Sequence, residues 1–151
     1  MYLYNNQEKS IYTVFWTVSI NNSDFFPTGD IGFIDISGNL HLIGRIKDII
    51  NVGGSKIDPT EVEKVLLDHD QIIDAVAYPL ILENGEEKVQ AAIVIKGNSI
   101  DTKELSRFCY CKLDDYKIPI IFHSLSKISR TPSGKCIRTE LPDYPRQYLL
   151  G

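Results

Sequence analysis

Two capped helix starts, each set between β-branched runs, constrain this chain more than any other feature. At 58–61 the sequence reads DPTE. Asp58 is a good N-cap, Pro59 suits the first helical position, and Glu61 stands three residues after the cap. Val62, Val65, Leu66 and His69 follow on one face at helical spacing, which predicts a helix over about 59–69. Asp101, with Glu104 three residues on, opens a second helix whose buried face is Leu105, Phe108, Cys109 and Leu113. Ahead of the first helix, KDIINVGGSKI reads as a strand ending in two glycines. Between the helices, IIDAVAYPLIL and KVQAAIVIKG flank the turn former NGEE and read as a hairpin. KIPIIFHSL, after the second helix, is a further strand. The order strand–helix–strand–strand–helix–strand predicts an α+β fold, a small mixed or antiparallel sheet packed with helices.

The first 46 residues read differently. IYTVFWTVSI, at 11–20, is rich in β-branched and aromatic types and is a strand candidate. After the turn formers of NNSDFFPTGD, the segments GFIDI and LHLIG alternate around SGN, where glycine suits a tight turn, so this stretch reads as a β-hairpin. We therefore expect a β segment over 1–46, a principal domain over 47–142 and a polar tail over 143–151.

Composition removes several function classes. With 151 residues and 43% apolar content, the chain can bury one real core and a small appendage. A net charge of −4 argues against nucleic acid or an anionic membrane as the main partner. No run approaches the roughly 20 apolar residues of a membrane span, and the opening MYLYNNQEKS lacks the pattern of a secretory signal. The cysteines are Cys109, Cys111 and Cys136; their odd number and spacing fit no disulfide framework and point to reduced thiols in the cytoplasm. His41, His69 and His123 lie far apart, so no metal site is expected.

Three segments carry chemistry. Asp30, in TGD, offers a carboxylate that can accept hydrogen bonds from sugar hydroxyls. In GRIKDIINVGGSKIDPTEVE, Arg45 offers a planar donor fork, Gly53 and Gly54 let backbone approach a ligand closely, and Lys56 adds a cation. In SRTPSGKCIR, Pro132 and Gly134 fix an irregular loop that presents Lys135. That loop is not a phosphate-binding P-loop: Ser129 stands where the first glycine belongs, and Cys136 where Ser or Thr should follow the lysine. Each segment alone reads as well as a turn, a capped helix or a solvated lysine.

Together and in order, FPTGDIGFIDISGNLHLIGRIKDIINVGGSKIDPTEVE and SRTPSGKCIR resemble the C-terminal part of the adenylate-forming superfamily, which includes acyl-CoA synthetases, adenylation domains of nonribosomal peptide synthetases, and luciferases. The resemblance spans about residues 24–141. It implies a C-terminal lid domain preceded by a β-hairpin remnant of a large domain. It also implies a two-step reaction, in which a carboxylic acid and ATP give an acyl-adenylate and pyrophosphate, and the acyl group then passes to CoA or to the phosphopantetheine of a carrier protein. On this resemblance Asp30 and Arg45 contact the ribose, Lys47 is the hinge, Gly53, Gly54 and Lys56 line the thiol's tunnel, and Lys135 is the adenylation lysine.

The family's phosphate-gripping loop, magnesium ligand and acyl pocket belong to a large N-terminal domain, and none of their motifs stands ahead of Asp30. ATP or AMP and Mg are thus expected in an assembled enzyme, with no cofactor on this chain alone. Three readings stay open: one half of a split ligase working with a large domain in trans, a non-catalytic module that docks a carrier protein or synthetase, or a piece of a larger ligase. An uncovered 1–46 segment would also favour a homo-oligomer.

Overall fold

A computed structural model describes residues 3–6, 9–12, 29–34 and 36–145. The chain divides into two compact units, Met1–Ile49 and Ile50–Gly151. In the first unit, β1 (Leu3–Asn6) pairs antiparallel with β2 (Lys9–Tyr12), and β3 (Asp30–Ile34) pairs antiparallel with β4 (Leu40–Arg45). The β3–β4 hairpin is the one expected around SGN. Of the strand expected at 11–20, only the start is seen, as the end of β2; the rest lies outside the described residues. So do most strand side chains of this unit, and with them the expected apolar face. A short 3₁₀ turn, Ile46–Asp48, follows β4.

The second unit begins with a departure from expectation. KDIINVGGSKI is not a single strand: β5 (Ile50–Val52) turns at the glycines and returns as β6 (Ser55–Ile57). Gly53 and Gly54 take φ of +57° and +89°, the left-handed pair that a two-residue hairpin turn with the right twist demands. Helix α1 (Pro59–Leu67) then starts as the cap predicts, the Asp58 carboxylate accepting the Thr60 N–H at 2.9 Å. The reciprocal bond expected of Glu61 is replaced by a longer reach, because Glu61 accepts from Lys117 Nζ at 2.9 Å.

The main sheet has the order β7-β8-β9. β7 (Ile72–Ile81) and β8 (Glu87–Ile95) form the antiparallel hairpin expected around NGEE. Helix α2 (Thr102–Tyr110), capped by Asp101, carries the chain across so that β9 (Ile121–Ser124) pairs parallel to β8. The result is the mixed sheet with helices of the expected α+β class. Leu105 and Cys109 are buried, Phe108 is half-buried, and Leu113 is buried beyond the helix end.

Both faces of the β7–β8 hairpin are covered, and alternation sorts the side chains between them. Ala75, Ala77, Val89, Ala91 and Ile93 join Val62 and Leu66 of α1 and Leu105 of α2 in the larger core. Val76, Tyr78 and Ala92 point the other way, into a smaller core closed by Ile128 and Leu141. The second face is therefore covered by the very segment that contains Lys135. Two polar anchors hold that segment. Tyr78 Oη donates to Pro142 O at 2.8 Å. Gln90, fully buried on β8, donates to Pro79 O at 3.0 Å and to Asp143 O at 3.4 Å, while His123 Nε2 of β9 lies 2.9 Å from its Oε1.

Candidate functional site

The nucleotide-binding candidates lie in the first unit. Gly29, with φ of +74°, turns the chain into β3, and the register of the β3–β4 hairpin sets Asp30 directly opposite Arg45. Two residues 15 apart in sequence and on either side of a turn thus share one rung, their Cα atoms about 4.5–5.5 Å apart. A shift of register between Ile31 and Gly32 fixes that match at the open end of the hairpin. Arg45 is exposed. Lys47, the hinge candidate, is exposed in the centre of the 3₁₀ turn, two residues before the unit ends at Ile49.

The tunnel candidates share the β5–β6 hairpin of the second unit. Gly53 and Gly54 form its tip, and a Cβ added at either would meet nothing within 4 Å. The tip is thus an open backbone surface. Lys56 is exposed and pairs across the hairpin with Asn51, whose N–H donates to Glu87 Oε2 at 2.7 Å, tying the hairpin to the start of β8.

Lys135 sits on a loop that is tightly built around an exposed tip. Arg130 and Cys136 form a β-bridge, Thr131 N donates to Lys135 O at 2.8 Å, and Gly134 N donates to Thr131 O at 2.8 Å. Thr131 Oγ1 accepts the Lys135 N–H at 3.2 Å. Below the bridge, Ile137 N donates to Ser129 O at 2.8 Å. The backbone of Lys135 is thereby fixed, while among the described residues its ammonium has no hydrogen bond or ion pair. A fixed base with an unengaged cation suits delivery of positive charge to an anionic centre.

Sequence reasoning missed the support of this loop. Arg130 makes a bidentate pair with Asp74 of β7, Nη2–Oδ1 at 2.7 Å and Nε–Oδ2 at 3.2 Å, and its Nη1 donates to Gly134 O at 3.1 Å. Asp74 stands 56 residues away in sequence, so no local signal marks the contact. The hydrogen bond to Asp74 pushes the Arg130 guanidinium further above its ordinary value, more than burial lowers it. Nearby Glu63 of α1 accepts the Ala77 N–H at 3.0 Å; burial holds its carboxyl above the usual range, against the pull of that bond and of Arg138. Burial likewise pushes the Cys136 thiol up. Among the described residues no cluster of three His, Cys, Asp or Glu side chains could hold a metal ion, and no helix is long and apolar enough to cross a membrane.

Comparison with known proteins shows the family. Residues 61–135 match the family model described as the AMP-binding enzyme C-terminal domain. The chain is 38% identical over 115 residues to an oxalate–CoA ligase of Arabidopsis thaliana, covering 76% of this chain and 22% of that protein. It is 38% identical over 120 residues to a 2-succinylbenzoate–CoA ligase of Bacillus licheniformis, covering 80% of this chain and 25% of the relative. Among solved structures, the o-succinylbenzoate CoA synthetase of Bacillus subtilis in complex with its acyl-adenylate intermediate superposes with a TM-score of 0.72 at 34% identity, over 83% of this chain and 25% of that one. The same synthetase in complex with ATP and magnesium gives 0.70 at 33% identity, over 82% and 25%. The chain spans about a quarter of the length of these relatives. On this family match, these identities and this superposition, the chain belongs to the adenylate-forming enzymes and corresponds to their C-terminal domain.

Proposed function

We propose that this chain is the lid portion of an ATP-dependent acid–thiol ligase, inactive without a large domain that supplies the ATP and acid sites. In the first step a carboxylate oxygen of the acid attacks the α-phosphorus of ATP. The bond to the pyrophosphate oxygen breaks, leaving an acyl-adenylate. Carboxylate and phosphate are both anionic, and their approach is costly in a site closed to water. The Lys135 ammonium offsets that repulsion and the charge that develops on the phosphoryl oxygens. In the second step the thiol of CoA, or of a carrier protein's phosphopantetheine, attacks the acyl carbon. The thiol proton is lost, the bond to AMP breaks, and a thioester forms.

The two steps call for different groups, and the chain carries them on different segments. Asp30 and Arg45, on one rung, hold the two ribose hydroxyls. Lys47 is the pivot about which the lid turns, withdrawing Lys135 and bringing in the open tip of Gly53 and Gly54, with Lys56 beside it to meet a phosphate of the incoming pantetheine. On this reading magnesium accompanies ATP on the large domain. Three free cysteines suit a reducing cytoplasm, where such a partner domain and a carrier protein would meet it.

The observation that carries this reading is the unengaged ammonium of Lys135 on a braced, exposed loop. The test joins the chain to a large domain, in trans or in one polypeptide, and measures acid-dependent pyrophosphate release. Lys135→Ala should lower kcat by about 10²–10³, the usual loss when one transition-state charge donor is removed. Equal rates for the two proteins would refute the assignment.

A further inference from the structure

We infer that Arg130, held by Asp74, is a positioning residue that aims Lys135; this rests on the adenylation role proposed above. The argument starts from how one guanidinium is used. All three of its nitrogens are engaged. Two grip the Asp74 carboxylate, and Nη1 donates to the carbonyl of Gly134. That carbonyl belongs to the peptide group that joins Gly134 to Lys135, so its direction sets the plane from which the lysine side chain departs. Asp74 is itself locked, because its Oδ1 also accepts the Ala75 N–H at 2.9 Å. A continuous line therefore runs from the backbone of β7 through Asp74 and Arg130 to the peptide behind Lys135.

Gly134 is where such a brace is needed. Its φ of +85° lies where glycine is free and other residues are strained, and a Cβ added there would meet nothing within 4 Å. The N–H of the peptide that joins it to Lys135 is held by Thr131 Oγ1 at 3.2 Å and the carbonyl by Arg130. Without Arg130 the carbonyl is released, and a long lysine stem amplifies a small rotation at its base into a displacement of an ångström or more at the ammonium. Misplacement on that scale is enough to cost about a hundredfold in rate. As a stabilising ion pair the contact is a weak device: the side chains of Arg130 and Asp74 are 37% and 29% exposed, and exposed pairs contribute little. The three-point geometry is also one that lysine, with a single compact charge, cannot reproduce.

The experiment has two arms. In the chain alone, amide hydrogen exchange at Thr131, Gly134 and Lys135 should quicken at least tenfold in Arg130→Ala and in Arg130→Lys, with the melting temperature of the domain nearly unchanged. In the assembled ligase, both variants should lose about tenfold to a hundredfold in kcat for acid-dependent pyrophosphate release, with KM for ATP and acid held. Thioester formation from preformed acyl-adenylate should keep its wild-type rate. Unchanged exchange overturns the inference, because the loop then does not depend on Arg130. So does full activity in Arg130→Lys, which would show that charge rather than direction matters. Equal losses in both half-reactions also overturn it, as a sign of general damage. If Lys135→Ala itself retains full activity, the ligase role fails and the aiming role with it, while the exchange arm still reports separately whether Arg130 orders the loop.

Discussion

Replacing Gln90 by leucine should cost the Ile50–Gly151 unit about 2 kcal/mol. Gln90 is fully buried at the centre of the sheet, with Tyr78 opposite on β7 and Ile121 opposite on β9. Its amide donates to Pro79 O and, at longer range, to Asp143 O, and its oxygen faces His123 Nε2. Leucine fills a similar volume but leaves those three groups without their partner. Each unmet buried group costs about 1 kcal/mol or more, so the loss comes to about 3 kcal/mol, less about 1 returned by burying an apolar side chain in place of an amide. For a unit of about 100 residues, that corresponds to a fall in Tm of roughly 10 °C or somewhat more. Urea unfolding followed by circular dichroism measures it, and a loss under about 0.5 kcal/mol refutes the view that this side chain pins the tail to the sheet. Gln90→Glu sharpens the test. A buried carboxyl there has its pKa raised, so it is best tolerated when protonated. That variant should be nearly as stable as wild type at pH below its unfolded pKa and should lose stability as pH rises through its folded one.

Two further substitutions in the same unit have defined outcomes. Glu63 has its carboxyl pKa raised above 4.5 by burial, so its ionised form opposes folding. Glu63→Gln keeps an acceptor for the Ala77 N–H, and it should raise the urea midpoint at pH 7, with the gain vanishing as pH falls below 4.5. Gly54→Ala meets no neighbour but must hold φ near +89°, which should cost about 1 kcal/mol in the same unfolding assay without altering the m-value.

The parts of the fold written in local chemistry were readable. Asp58 and Asp101 mark both helices because a cap is a contact with the next two or three residues. The β7–β8 hairpin was plain because its partners adjoin in sequence. Three features were not readable, each for a reason of distance or length. The β5–β6 hairpin has only three residues on each side of its glycines, too few to show an alternation, so it passed for one strand. Glu61 follows its cap at the right spacing, yet Lys117, 56 residues on, takes its carboxylate. The lysine loop was legible as a presented cation, but Arg130 looked like any basic residue until Asp74 was seen beneath it.

One feature of that loop bears on energetics as well as reach. Among the described residues the ammonium of Lys135 makes no hydrogen bond or ion pair, so moving it would break none. On the proposed role, its retreat would carry no internal penalty, and the balance between two poses of a lid would fall to the ligand on the large domain. A cap built in this way would not choose its own position; on the proposed role the occupant of the pocket would choose for it, from one half-reaction to the next.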